Sequence, residues 1–170
     1  EEIPVLPLRN TVLFPGVVIP ITAGRDKSIK LLNYANKHKL SIGVVSQHDP
    51  DNEEPEANDI YKTGTVARIL RMFKMPDGNT TVILQGKRRF QIREVLEEDP
   101  FMKASVEVIE DKKYSRTSTK FSVMMDSIKE LSLKIIKESP NIPSEAAFAL
   151  KNIESNSFLI NFISSNMNLD

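Results

Sequence analysis

The order of apolar and polar residues predicts a strand-rich part at the beginning of the chain. Residues 5–8 and 17–22 are short apolar runs on either side of a Phe-Pro-Gly turn at 14–16, a pattern typical of strands. Between residues 26 and 39 the apolar positions instead follow helical spacing, which predicts one amphipathic helix. Residues 41–46, in which four apolar residues stand between two serines, indicate a buried strand.

A hairpin and two further strands are predicted beyond this point. Residues 65–74 and 80–85 have strand character, and the Asp77-Gly78 pair between them favours a tight turn because glycine accepts positive φ. Phe90 and Ile92 share one face of the next strand. Residues 102–108 alternate apolar and polar side chains, which predicts a half-buried strand that closes the sheet.

The apolar period changes to that of helices near residue 113. One stripe on a long helix, which we expect to fill a core, comprises Phe121, Met124, Met125, Ile128, Leu131 and Ile135. Ser139-Pro140 ends this helix, while Ser144 and Ser155 can cap two shorter ones. The predicted class is α+β: a β-rich lobe over residues 1–112, as a twisted sheet or partly open barrel with one helix, then an all-α lobe over 113–170.

Composition and charge exclude several function classes. The 170 residues contain no cysteine, so disulfides, thiolate metal sites and cysteine nucleophiles are absent. The 23 basic residues balance 23 acidic ones, which argues against attraction of the whole molecule to nucleic acid or to an anionic membrane. No apolar run approaches the ~18 residues of a membrane span. We therefore expect no membrane partner and a cytoplasmic location, with an organelle matrix as the other option.

Catalytic and metal-binding templates do not fit the sequence. Gly86-Lys87 lacks the glycine and the hydroxyl residue that a phosphate-binding loop needs. His38 and His48 stand in separate elements and form no metal-ligand pair. The acidic segment 49–59, with six acids and no base, lacks the glycine and glutamate of a calcium loop and indicates a solvated connector. We predict no catalytic, cofactor-binding or metal-binding residue, and hence a binding role.

The hairpin offers one candidate binding surface. Met72 and Phe73 are adjacent in a strand and point to opposite faces, so one of them, together with Met75, is expected at a partly exposed surface. Methionine adapts to varied apolar partners. The predicted substrate-binding residues are Arg71, Met72, Phe73, Lys74, Met75 and Pro76. A small apolar cluster under a loop, or a sheet covered on both faces, would explain the same residues.

A second candidate is the basic strand Lys87-Arg88-Arg89-Phe90-Gln91-Ile92-Arg93. As a nucleic-acid-binding module it would stack Phe90 on a base and place its four basic side chains on phosphates. Alternation favours a different interpretation. Phe90 and Ile92 would pack on the core, and the basic residues would form a solvated strand face.

Several sequence blocks, in this order and spacing, carry a resemblance to a known family. They are IPVLPLRN, FPG, GRDKSI, GTVARILRMFKMPDGNTTVILQGKRRFQI, NIPSEAAFAL and FLINFISSNMNL. Together they closely resemble the N-terminal domain of Lon-type ATP-dependent proteases. The likeness covers essentially the whole chain. Since the chain starts at Glu1 rather than at methionine, we expect a fragment of such a protein.

The resemblance implies a β-rich lobe and a helical lobe that precede an AAA+ motor and a Ser–Lys peptidase domain. In that family the N-terminal domain helps to select misfolded or tagged proteins, and the complete enzyme is a hexameric ring that uses ATP and Mg. No catalytic residue can be transferred to this chain, because neither the motor's nor the peptidase's motifs occur in it. A free-standing Lon-like adaptor and a domain that mainly organises the ring are the alternatives.

Overall fold

The computed structural model describes residues 1–112, 114–115, 117–143 and 145–167, and Ser144 with its predicted cap lies outside them. The chain divides into two compact units, Glu1–Glu110 and Asp111–Asp170. In the described ranges the first unit contains six strands and one α-helix, and the second contains three helices. The α+β class predicted from the sequence is confirmed.

Most elements begin and end close to the predicted positions. The strands are β1 (Glu2–Leu8), β2 (Val18–Ala23), β3 (Ile42–Ser46), β4 (Thr63–Lys74), β5 (Thr80–Glu97) and β6 (Lys103–Val108). The helices are α1 (Asp26–His38), α2 (Thr119–Glu138), α3 (Glu145–Lys151) and α4 (Asn156–Ser165), and a 3-10 turn spans Ala57–Asp59.

The six strands form one mixed sheet that curls back on itself. Their order is β2-β5-β4-β3-β1-β6, with an additional pairing between β6 and β5. Only β1 and β3 run parallel, while the other pairs are antiparallel. The sheet is not a clean barrel, because β2 pairs with the first half of β5 and stays outside the closed part.

Strand β5 is longer than the sequence pattern indicates. Residues 80–85 and the segment around Phe90 form one continuous strand of 18 residues rather than two strands. Gly86 lies in the first half of β5, where a Cβ atom would lie 2.3 Å from the carbonyl oxygen of Phe14. Real Cβ atoms do not approach other atoms this closely, so glycine lets the FPG turn pack directly on the strand.

Two apolar cores stabilise the first unit. Helix α1 packs on the sheet through Leu31, Leu32 and Ala35 in the first core. Phe90 is fully buried at the centre of the second core, which the closed part of the sheet surrounds. Two glycines of β3 and β4, Gly43 and Gly64, allow its ring to approach the backbone.

The second unit has its own core, built on Met125, Leu150 and Leu159. Helices α2 and α4 are capped at their N-termini by Ser118 and Ser155, whose side chains accept hydrogen bonds from the amides of Phe121 and Phe158. The predicted cap at Ser155 is confirmed.

The apolar stripe predicted on α2 is only partly correct. Phe121, Met125 and Ile128 belong to the core of the second unit. The other half of the stripe is exposed: Met124 by 53%, Leu131 by 61% and Ile135 by 59%. The prediction failed because the buried face of α2 is rotated toward Leu133 and Ile136, which join the core.

Candidate functional site

A β-bulge in β4 determines which hairpin side chains reach the surface. Ile69 pairs with Leu84 and Arg71 with Ile83, so the intervening Leu70 has no partner on β5. One extra residue reverses the alternation of inward and outward side chains beyond it. After the bulge, Met72 packs against the first core and Phe73 points to the other face.

The hairpin therefore displays three large apolar side chains. Leu70 is 44% exposed, Phe73 47% and Met75 43%. The neighbouring Arg71, Lys74 and Pro76 are also exposed. Five of the six residues predicted as a binding surface thus lie at the surface together, whereas Met72 is partly buried. Their binding role stays a prediction.

Hydrogen bonds within the turn fix the position of Met75. Its amide donates to the carbonyl of Asn79 at 2.8 Å, and the Asn79 amide donates to Oδ1 of Asp77 at 2.9 Å. Gly78 has a φ of 89°, the left-handed conformation expected from the Asp-Gly pair. Because the turn is hydrogen-bonded in this way, Met75 is held at the tip of the hairpin.

The exposed hairpin residues continue across three strands. Phe73 of β4 is paired with Thr81 of β5, and Thr81 with Thr22 of β2. The neighbouring row runs from Arg71 through Ile83 to Pro20 in the same way. We call these six residues, with Leu70 and Met75, the outer face. It is a partly apolar sheet surface that carries the hydroxyl groups of Thr22 and Thr81 and one basic side chain, that of Arg71.

The basic strand does not provide a stacking platform. Phe90 is fully buried, so it cannot stack on a base, and Ile92 is 93% buried beside it in the second core. A second bulge, at Lys87 and Arg88, turns three consecutive basic side chains outward. Arg93 forms an ion pair with Glu107 on β6. The structure favours the solvated strand face over a nucleic-acid interface.

The histidines and acids do not assemble into a metal centre in the described part of the chain. No group of three or more potential metal ligands occurs among the residues that the structure describes. The His48 ring packs edge-on against Tyr61, with 4.4 Å between the ring centroids.

In the described ranges, no helix is long and apolar enough to cross a membrane.

Leu70 is a surface residue that the sequence pattern does not indicate. The strand pattern gave no signal for it, because the extra residue is recognised only from the pairing with β5. The contribution of β2 to the outer face was missed for the same reason. The position of β2 beside β5 depends on contacts about 60 residues apart along the sequence, as in the pair Thr22 and Thr81.

Comparison with known proteins gives one consistent family. Residues 2–170 match the family model described as the ATP-dependent protease La (LON) substrate-binding domain. The chain is 65% identical over 168 residues to the Lon protease of Flavobacterium johnsoniae, with 99% of this chain and 21% of that protein covered. It is 51% identical over 168 residues to the Lon protease of Cytophaga hutchinsonii, with the same coverage. The chain spans about a fifth of the length of these curated relatives.

Solved structures show the same fold. The N-terminal domain of the Mycobacterium avium complex Lon protease matches with a TM-score of 0.75 at 18% identity, over 100% of this chain and 85% of that one. The Lon N-terminal domain protein of Xanthomonas campestris matches with a TM-score of 0.61 at 17% identity, over 99% of both chains.

Proposed function

The chain belongs to the substrate-binding domain family of ATP-dependent Lon proteases, and from this premise we propose that it binds unfolded or tagged protein substrates through its outer face. It would hold apolar segments of such proteins weakly while other domains of the same chain act on them. The observation that carries the proposal is the display of Leu70, Phe73 and Met75 at the surface of a hydrogen-bonded hairpin.

The physical character of the outer face suits this role. A flexible methionine and a phenylalanine ring accept apolar side chains of varied shape, and the hydroxyl groups of Thr22 and Thr81 offer hydrogen bonds beside them. A small, partly exposed apolar surface supplies only modest affinity for a protein substrate. Modest affinity suits the role, because a tightly bound substrate would resist removal by an ATP-driven motor domain.

The parent protein is proposed to be an ATP-dependent serine endopeptidase that assembles as a hexamer in the cytoplasm. ATP and Mg would bind to its AAA+ domain, and peptide bonds would be cleaved in its peptidase domain. The 170 residues of this chain would contribute neither catalytic groups nor cofactor ligands. The adaptor alternative finds no support among the relatives named above, which are about five times longer than this chain.

Truncation of the hairpin side chains tests the proposal. Phe73→Ala combined with Met75→Ala should weaken binding of an unfolded model protein, such as reduced carboxymethylated lactalbumin, by about tenfold, since central apolar anchors carry most of the binding energy. Fluorescence anisotropy of the labelled substrate measures the affinity. Stability should change little because both side chains are nearly half exposed.

A matched variant controls for the general loss of apolar surface. Val12→Ala combined with Leu96→Ala removes two exposed apolar side chains from the same unit but outside the outer face. This variant should bind the unfolded protein as well as the original chain. Equal affinity of the hairpin variant and the original chain would refute the assignment of the outer face.

A further inference from the structure

A cleft separates two strand edges that do not pair with each other. It has a volume of about 580 Å³ and lies between residues 6–9 of β1 and the segment that follows, and residues 20–25 of β2 and the turn into α1. Within the described residues, β2 pairs only with β5, and β6 pairs with β1 only at residues 2–4. Neither the second edge of β2 nor the corresponding edge of β1 beyond Val5 is therefore covered by a strand.

The edge of β2 presents backbone groups to this cleft. The Gly86 amide donates to the carbonyl of Val17 at 2.9 Å, so the backbone of Val17 is directed toward β5. Because the direction alternates along a strand, the backbone groups of Val18, Pro20 and Thr22 point away from β5. Pro20 and Thr22 line the cleft, and Val18 continues the same edge beyond it. Pro20 lacks an N–H, but its carbonyl and the amides and carbonyls of the other two residues remain available for a further strand.

The edge of β1 is closed by an arginine. Arg25 donates from Nη2 to the carbonyl of Pro7 at 2.8 Å and from Nη1 to Oε1 of Gln47 at 2.8 Å. Gln47 is 95% buried and also holds the acidic loop by donating to the carbonyls of Asp49 and Asn52. Arg25 is thereby fixed in the cleft wall, and burial lowers the pKa of its guanidinium.

A second arginine in the cleft is held by the acidic loop. Arg9 donates from Nη2 to Oε2 of Glu53 at 2.5 Å. This hydrogen bond raises the pKa of Arg9 and lowers the pKa of Glu53. Glu53 is exposed, so the pair is solvated and its carboxylate can be exchanged at small cost. The charged groups that line the cleft are these two arginines and this one glutamate.

We propose that the cleft binds an extended segment of a protein substrate that pairs with the free edge of β2 and places an Asp or Glu side chain on Arg9, beside Arg25, in the position that Glu53 occupies in the free chain. The inference rests on the proposed function and adds to it a second site, with a preference for acidic sequence. The groups involved suit such a ligand, because strand edges bind extended peptides and guanidinium groups bind carboxylates.

The cleft adjoins the hairpin of the outer face at the end of β2. Gly24 lines the cleft at the end of β2, and a Cβ atom on it would lie 2.8 Å from Oδ1 of Asn79 in the hairpin turn. A segment that follows the edge of β2 therefore reaches the hairpin next to Met75. One unfolded chain can occupy both sites, with its acidic residue on Arg9 and its apolar residues on the outer face.

A pair of blocked peptides tests the charge preference. The probe is a fluorescein-labelled ten-residue peptide of Thr, Val and Ser with one central Glu and an amidated C-terminus, and the comparison peptide carries Gln in its place. The Glu peptide should bind about tenfold more tightly than the Gln peptide, and Arg9→Gln should remove this difference. Equal binding of the two peptides would overturn the inference, as would a preference for a free C-terminus whatever the central residue.

Substitution of Glu53 in the acidic loop should increase peptide affinity, whereas substitution of Arg9 should reduce it. Glu53→Gln should raise affinity for the Glu peptide by about two- to fivefold, since it removes the competing carboxylate. Glu54→Gln removes one negative charge from the same loop without an ion pair to Arg9, and it should leave affinity unchanged. An equal gain in both variants would indicate general charge repulsion and refute the exchange with Glu53. Thermal melting of each variant confirms that it is folded.

Methylation of peptide amides tests the strand pairing. N-methyl groups on one alternate set of residues should abolish binding, and those on the other set should be tolerated, because only one set faces β2. Equal tolerance of both sets would contradict strand addition.

Binding of unfolded lactalbumin to the same variants separates the two proposals. If the chain binds lactalbumin but neither peptide, only the cleft assignment fails; if it does not bind lactalbumin, the proposed function fails.

Discussion

Phe90→Ala should lower the free energy of unfolding by about 3–5 kcal/mol, the range for truncating a large buried aromatic side chain. Phe90 is fully buried at the centre of the second core and lies against Gly43 and Gly64. Its removal would leave a cavity that the surrounding strands cannot fill, because they are paired on both sides. Urea denaturation followed by circular dichroism measures the loss, with amide exchange in β3 and β4 as a local reporter.

Phe73→Ala is the matched control for this substitution. The same side chain is removed from the same sheet, but Phe73 is 47% exposed and contributes little to a core. The free energy of unfolding should fall by about 1 kcal/mol or less. Similar losses in the two variants would contradict the burial of Phe90 and would restore it as a candidate for stacking on nucleic acid.

Gly64→Ala should destabilise the chain by about 2–3 kcal/mol through overpacking, although only one methyl group is added. The new Cβ would lie 2.4 Å from the carbonyl oxygen of Val44, 2.5 Å from Cγ1 of Val45 and 2.7 Å from Cζ of Phe90. Two of these atoms are fixed by the backbone of β3 and by the core, so the strands would have to separate. Thermal denaturation detects the effect as a lower melting temperature.

Gly24→Ala provides the control for added volume. There the new Cβ would meet only the end of the Asn79 side chain at 2.8 Å, which can rotate away. Replacement of glycine also reduces the conformational entropy of the unfolded chain, which offsets part of the cost. The free energy of unfolding should therefore change by less than about 1 kcal/mol. A Gly24 variant as unstable as the Gly64 variant would show that close packing at β3 is not the cause.

The sequence predicted the elements better than their arrangement. Turns with strong local chemistry, such as Asp77-Gly78 and the cap at Ser155, lie where expected because neighbouring residues determine them. The order of the strands and the positions of the bulges depend on pairings between distant residues, so local sequence patterns do not predict them. The bulge at Leu70 decided that Phe73 rather than Met72 faces outward.

The same reason explains the errors in the helical unit and at the cleft. Met124 and Met125 are adjacent on one apolar stripe, and only packing against α3 and α4 determines that Met125 is buried. Arg9, Arg25 and Glu53 lie far apart in the sequence and meet only because β1, β2 and the acidic loop fold together. The loop was predicted as a solvated connector. Most of it is exposed, yet Glu53 lines the cleft.

Binding of unfolded protein to the outer face is tested most directly by amide hydrogen exchange of the chain with and without saturating reduced carboxymethylated lactalbumin. Slower exchange is expected at Arg71 to Met75 and in the turn that follows, with a weaker effect along β2. The basic residues of β5 and the whole of α2 should exchange at unchanged rates. Protection confined to residues 87–93, or to the second unit, would contradict the account.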